Sequence, residues 1–313
     1  MNPVQFTDRQ ILALRGPKTT LDPQRAYAAT WEEERDASGE LVPTAIVFLT
    51  NRECPFRCVM CDLWVNTLDD VITEGLIPRQ ISDALAGLPP VRQVKLYNAG
   101  SFFDAQAVPP ADDAAIAAVV TPFDRVIVES HPAYLRGPYA ERCLEFRDRL
   151  DGRLEVAIGL ETANATVLDR LNKRMTLDDF ARAAAFLREH DIDLRAFILL
   201  HPPFMRADEA VEWGCRSIDV AFDAGATVCS VIPTRGGNGA MEAIGADAPS
   251  LTSLESVVEY GVLTGRGRVF ADLWDIGRFY TCQCAAERAE RLRLMNQTQH
   301  IPAPVVCDCT ARN

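Results

Sequence analysis

Three cysteines fall close together, Cys54, Cys58 and Cys61, in the spacing C-x3-C-x2-C within the stretch NRECPFRCVMCDLW of residues 51–64. Three thiolates on one tight loop suit three irons of a [4Fe–4S] cluster, which cysteine thiolates ligate. The loop has no fourth cysteine, so one iron would be left for a ligand that is not protein. The bland alternatives are half of a zinc site or buried apolar thiols, but zinc sites favour paired C-x2-C or C-x4-C with a second pair elsewhere. A second set, Cys282, Cys284, Cys307 and Cys309, forms two C-x-C pairs separated by 22 residues. Four thiolates there suit a second, fully protein-bound [4Fe–4S] cluster or a structural Zn2+. Cys143, Cys215 and Cys229 read as buried apolar thiols.

The elements that must position these groups alternate in type. From residue 44 short apolar runs alternate with amphipathic stretches, the pattern of βα units and a parallel sheet. Strands are expected at residues 44–50, 93–97, 125–129, 154–160, 193–200 and 226–232, with helices between them. Six such units make an α/β fold, a partial (β/α)6 TIM-like barrel with a Cys-rich C-terminal extension. The expected division is a helical lead-in at 1–43, the barrel at 44–265 and the extension at 266–313, which begins with one more strand at 268–274. Within the lead-in, residues 25–40 are expected to form a charged helix that packs Trp31 on the barrel.

In parallel α/β barrels reactive groups sit at the C-terminal ends of strands. The cysteine loop follows the first strand. Tyr97 and the turn Asn98-Ala99-Gly100-Ser101 follow the second, and Glu129 and His131 end the third. Glu161 ends the fourth, with Arg174 thirteen residues on, and His201 ends the fifth. Thr234, Arg235 and Asn238, then Asp272, Trp274 and Asp275, follow the last two. Of these, Tyr97, Glu129, His131, Asp272 and Trp274 are the candidates for contact with a polar substrate. Each has a plainer reading: Gly100 and Ser101 as a strand-to-helix turn and its cap, Glu161 and Arg174 as surface charges, His201 as a structural histidine.

The 313 residues carry a net charge of −12, which disfavours a broad nucleic-acid face, tRNA included, and suits a small-molecule substrate. No apolar run is long enough for a transmembrane helix, and the first residues, MNPVQFTDRQILALRGPK, lack the apolar core of a secretory signal. Ten clustered cysteines then suit metal or cluster ligation in a reducing cytoplasm.

The C-x3-C-x2-C loop is the signature of the radical S-adenosylmethionine (SAM) enzymes, and the chain resembles that superfamily. The phrases NRECPFRCVMCDLW, YNAGSFFD, VESHP and GLETAN together resemble the radical SAM subunit of archaeosine synthase and its bacterial relatives, over most of residues 44–280. The resemblance implies that SAM chelates the open iron through its amino and carboxylate groups. One electron then cleaves SAM to methionine and a 5′-deoxyadenosyl radical. It further implies that Asn98, Gly100 and Ser101 stand where a Gly-Gly-Glu-like turn binds the SAM amino group, although this chain has no Glu there. Glu161 and Arg174 would contact the methionine part or ribose, as in elongator-like and methylthiotransferase-like relatives. His201 lies at the adenine-contacting stretch, and the backbone near Met60 would face the adenine. An electron donor such as flavodoxin or ferredoxin is implied, and the outcome is of lyase or rearrangement type, at C–N or C–C bonds. With a second cluster, sulfur insertion or dehydrogenation is the alternative. The reading outside catalysis is a zinc-stabilised binding module.

Overall fold

A computed structural model of the chain describes residues 6–307. Eight strands form one sheet in chain order: β1 (Ala28–Arg35), β2 (Leu41–Phe48), β3 (Gln93–Tyr97), β4 (Arg125–Glu129), β5 (Arg153–Glu161), β6 (Asp193–Leu200), β7 (Val228–Pro233) and β8 (Arg268–Ala271). β2 to β8 run parallel, while β1 runs antiparallel to β2. The helices are α1 (Asp8–Leu14), α2 (Leu76–Ala86), α3 (Asp113–Val120), α4 (Pro138–Asp148), α5 (Ala165–Arg170), α6 (Leu177–Glu189), α7 (Ala210–Ala224), α8 (Ala240–Ile244), α9 (Leu251–Thr264) and α10 (Ala285–Thr298). The sheet curls into the expected partial barrel. Alternation along each strand divides its faces. Val94, Leu96, Val126, Val128, Val156 and Ile158 are fully buried in the layer between sheet and helices. Among the described residues, no helix is long and apolar enough to cross a membrane.

The helix expected over residues 25–40 is instead β1 and its turn into β2. Trp31, expected against the barrel, is 48% exposed. A run of glutamates reads as helix from its propensity, but tertiary ion pairs override it here. Glu32 and Glu34 share one face of β1 and meet the Lys95 ammonium of β3, both at 2.5 Å. Glu34 also takes the buried Arg195 guanidinium of β6 at 2.5 Å, and Arg195 reaches Glu155 of β5 at 2.6 Å. These strands are not sheet neighbours of β1, so the contacts cross the lumen and plug its lower end with charge. The turn is fixed by Asp36, whose carboxylate accepts the N–H groups of Ser38 and Glu40, each at 2.9 Å, and by Gly39 at φ +87°.

β8 is an edge, and α10 covers it with side chains that act as a further strand. Asn296 accepts the Ala271 N–H and donates to the Ala271 carbonyl, both at 2.8 Å. Gln299 does the same at Val269, at 2.8 and 3.0 Å. Arg35 of β1 donates to the Gln297 carbonyl at 2.8 Å, so the end of α10 spans the gap between β8 and β1.

Candidate functional site

β2 ends beneath the cysteine loop, and the loop's shape is imposed by bonds from several strand ends. The Leu49 N–H donates to the Tyr97 carbonyl at 2.7 Å, and the Val59 N–H to the Leu171 carbonyl at 2.9 Å. The Asn172 amide donates to the Arg57 carbonyl at 2.7 Å. From the opposite wall Asn238, 3% exposed, donates to the carbonyls of Val59 at 2.7 Å and Cys61 at 3.1 Å. Phe56 stacks on His131 with ring centroids 4.0 Å apart. Gly100 closes over the first thiol, where an added Cβ would lie 3.4 Å from the Cys54 Cβ. Burial pushes the Cys54 thiol up to about 11 and Cys61 up to about 12, and raises Cys58 as well. Three half-buried thiols on one loop disfavour their thiolates unless a cationic centre recovers the cost.

Two carboxylates set the rim. Glu129 at the end of β4 accepts the Asn98 N–H at 2.6 Å and further bonds from the Gly100 and Ala99 N–H groups. Burial nonetheless raises its carboxyl to about 7. Glu129 therefore holds the 98–100 turn in place. The Ser101 hydroxyl accepts the His131 N–H at 2.9 Å, tying the same turn to the residue after β4. His131 Nδ1 accepts the Ala133 N–H at 3.1 Å, which leaves Nε2 to donate to the Lys173 carbonyl at 3.1 Å. Burial, then the Lys173 charge, pulls its pKa down to about 3, so this histidine is a neutral strut. Glu161 ends β5 in the left-handed region at φ +64°, where the pairing with β6 shifts register. Its carboxylate pairs with the Lys173 ammonium, and both side chains are close to nine-tenths buried. A Cβ on Gly159 would collide with both charged ends, so only glycine leaves room for the pair. Burial alone would lower the Lys173 pKa, but the Glu161 carboxylate raises it, and thiolates at Cys58 and Cys54 would add to that.

The cation facing the loop is thus Lys173, not Arg174. The Arg174 side chain is 57% exposed and pairs with Asp8 at 2.5 Å. His201, at φ +56°, bonds the Met205 carbonyl of its own loop through Nε2 at 3.2 Å. Met60 packs against the barrel core, and the Thr234 hydroxyl donates to the Leu200 carbonyl. Tyr97 does enter the lumen, because its ring meets Phe197 of β6, three strands away, at 6.0 Å. Phe48 joins Tyr97 at 6.1 Å, and Trp274 covers Phe48 at 5.4 Å while 54% exposed. Arg235 pairs with Asp272 at 2.7 Å at the mouth. Tyr27 was not expected here. It packs on Phe48 at 5.6 Å, and Glu129, Asp62 and Cys61 lie near enough to add to burial in raising its phenol pKa. No motif marked Tyr27, because it precedes a strand that reads as helix, and Lys173 was masked by its arginine neighbour. At the C-terminus Cys282, Cys284 and Cys307 come together, while Cys309 lies outside the described residues.

No known family model matches the chain. It is 28% identical over 221 residues to archaeosine synthase subunit beta of Methanosarcina acetivorans, covering 65% of this chain and 61% of that protein. Archaeosine synthase subunit beta of Thermococcus kodakarensis is 27% identical over 200 residues, 60% of this chain and 61% of that protein. The matched region thus spans about three fifths of the length of these relatives. Methylornithine synthase has the same fold, with a TM-score of 0.53 at 12% identity over 85% of this chain and 75% of that one. The chain is thus similar to archaeosine synthase subunit beta, and its likeness to methylornithine synthase shows the fold. The residues present fit what a radical SAM site must hold. The three thiols supply a sulfur donor set without a fourth cysteine on the loop. Both polar atoms of the Asn98 amide, fully buried beside that loop, lack a hydrogen-bond partner, a cost that a bound ligand would relieve. The space kept open at Gly159 is filled by an acid–base pair able to meet a zwitterionic ligand.

Proposed function

We propose that Cys54, Cys58 and Cys61 hold a [4Fe–4S] cluster with SAM on its open iron, and that the chain removes a hydrogen atom from a polar substrate in the barrel mouth. The convergence of the three half-buried loop thiols with Gly100, Asn98 and the Glu161–Lys173 pair carries this reading. When bound, the cluster and SAM supply the one-electron cleavage that generates the abstracting radical. The protein's part is positioning. Glu129 and Ser101 hold the 98–101 turn, and Asn172 and Asn238 hold the loop from both sides. Tyr97, Phe48 and Phe197 give the lumen an aromatic lining above the charged plug. Trp274 and the Arg235–Asp272 pair frame the entrance.

The substrate class proposed is a small polar molecule or a modified nucleoside, with C–N or C–C cleavage or rearrangement as the outcome. The name of the relatives, archaeosine synthase, favours the nucleoside, while the net charge of −12 speaks against tRNA as a whole. The chain would work in the cytoplasm with a flavodoxin or ferredoxin as electron donor. The C-terminal cysteines are proposed as a second metal site. Were they a second cluster, sulfur insertion or dehydrogenation would enter.

Anaerobic reconstitution with iron counting, followed by reduction with SAM and chromatography for 5′-deoxyadenosine, tests the reading. We expect about four irons lost when Cys54, Cys58 and Cys61 are together replaced by Ala, and 5′-deoxyadenosine from the wild type alone. A reconstituted wild type without iron overturns it in favour of a zinc-stabilised binding module.

A further inference from the structure

The two cysteine sets differ in size. The Sγ atoms of Cys282, Cys284 and Cys307 all lie within 4.8 Å of one another, and no other His, Cys, Asp or Glu triad does so among the described residues. The loop thiols of Cys54, Cys58 and Cys61 stand wider. Cys282 and Cys307 are 3.9 Å apart, far beyond a disulfide bond of about 2.05 Å. A tetrahedral zinc with Zn–S bonds of about 2.3 Å sets its thiolates about 3.8 Å apart. A [4Fe–4S] cube instead puts each thiolate on its own iron at a separate corner, which spreads them far more widely.

The chain builds this approach deliberately. Cys284 immediately precedes α10, and the Ala285 N–H donates to the Cys282 carbonyl at 3.1 Å, curling both thiols around the helix start. The tail after α10 turns back along it. Arg291 donates to the carbonyls of Pro302 and Ala303, each at 2.9 Å, and Arg288 reaches the Val305 carbonyl at 3.5 Å. Glu255 and Glu259 of α9 hold these guanidiniums in turn, at 3.3 and 2.5 Å for Arg291. The result is Cys307 delivered onto Cys282, with Arg288 in hydrogen-bond reach of Cys307, where a thiolate set leaves surplus negative charge.

We propose that Cys282, Cys284 and Cys307 bind a single zinc ion. The ion clasps the tail to the start of α10, the helix that spans the barrel's open seam. A metal in such a site contributes directly to folding. The clasp also fixes the segment that carries Asp272 and Trp274 into Cys282 at the mouth.

The test is metal analysis of the full chain purified anaerobically, with zinc and iron counted separately. The expected result is one zinc per chain in the wild type. Cys282→Ser and Cys307→Ser each lose it and keep the iron of the Cys54 loop, while the Cys54/Cys58/Cys61→Ala variant keeps zinc and loses iron. Should the serine variants fail to fold, release of wild-type zinc with a thiol-blocking mercurial, removal of the mercurial with excess dithiothreitol, then refilling with Co2+, reads the same site through its tetrahedral thiolate spectrum. A wild type with about eight irons, four of them lost from the tail variants, overturns the proposal in favour of a second cluster. A wild type with less than half a zinc per chain and no refilling by cobalt also overturns it.

Discussion

Replacing Lys173 by Met keeps the apolar stem of the side chain and deletes the ammonium that Glu161 faces. The two side chains are 11% and 9% exposed, so the change leaves a carboxylate buried without its cation. The register shift at Gly159/Glu161 fixes the direction of that carboxylate, and the space beside it is already full. Removing one member of a buried pair costs about 3–5 kcal/mol, out of a total stability on the order of 5–15 kcal/mol. Replacing both members, Lys173→Met with Glu161→Gln, removes the stranded charge. It should return about 1–3 kcal/mol relative to the sum of the single changes. Anaerobic urea unfolding of the four proteins, compared at constant slope, measures this coupling. A Lys173→Met variant within about 0.5 kcal/mol of wild type, or a double variant whose cost equals the sum of the singles, refutes a buried and coupled pair. Iron retention gives a second readout, because the same ammonium lies near Cys58 and Cys54. Lys173→Met should bind the cluster less well, whereas Arg174→Met, on the surface, should not.

Two further outcomes follow from the same structure. Folding raises the Glu129 carboxyl from 4.5 to about 7, so the folded chain holds that proton more tightly than the unfolded chain. Its contribution is fully present below the unfolded pKa and is lost as pH rises through about 7. Between pH 5 and 8 the wild type should lose about 2–3 kcal/mol more than Glu129→Gln in urea unfolding, and parallel pH profiles would show that the group is not buried as described. Asn296→Ala with Gln299→Ala strips β8 of four side-chain bonds. Hydrogen exchange at Val269 and Ala271 should quicken strongly, with about 2–4 kcal/mol lost overall at roughly 1–2 kcal/mol per deleted cap, and unchanged exchange there would mean another element covers the edge.

Much of the barrel was legible because its strands are short apolar runs between polar breaks, a pattern that needs no distant information. The cysteine loop was legible because spacing alone carries it. β1 was not, since its inward face is charged and its partners, Lys95 and Arg195, lie far along the chain. Its glutamates match a helix in every local respect. Asn238 looked like a pocket residue after the last crossover, yet it spends its amide on the cysteine loop, 177 residues before it. Lys173 and Arg174 were indistinguishable by type. Only the bend that turns one inward and leaves the other at φ +57° on the surface separates them. The zinc-sized spacing at the tail depends on arginines gripping backbone carbonyls, which no spacing rule encodes.

Strand order equals chain order from β1 to β8, which bears on how the protein is made. During synthesis each new strand meets a neighbour already in place, and each closure spans little more than one crossover. Such local pairing keeps the entropy cost of each step small. The seam is different. Arg35 waits for the Gln297 carbonyl, 262 residues later. A nascent chain that ends before residue 285 therefore holds all eight strands with the outer edge of β8 bare. In that interval the bare edge is open to pairing with a strand from another chain. The amides of Asn296 and Gln299 end that exposure when α10 emerges, so the last helix guards the product against its own assembly line.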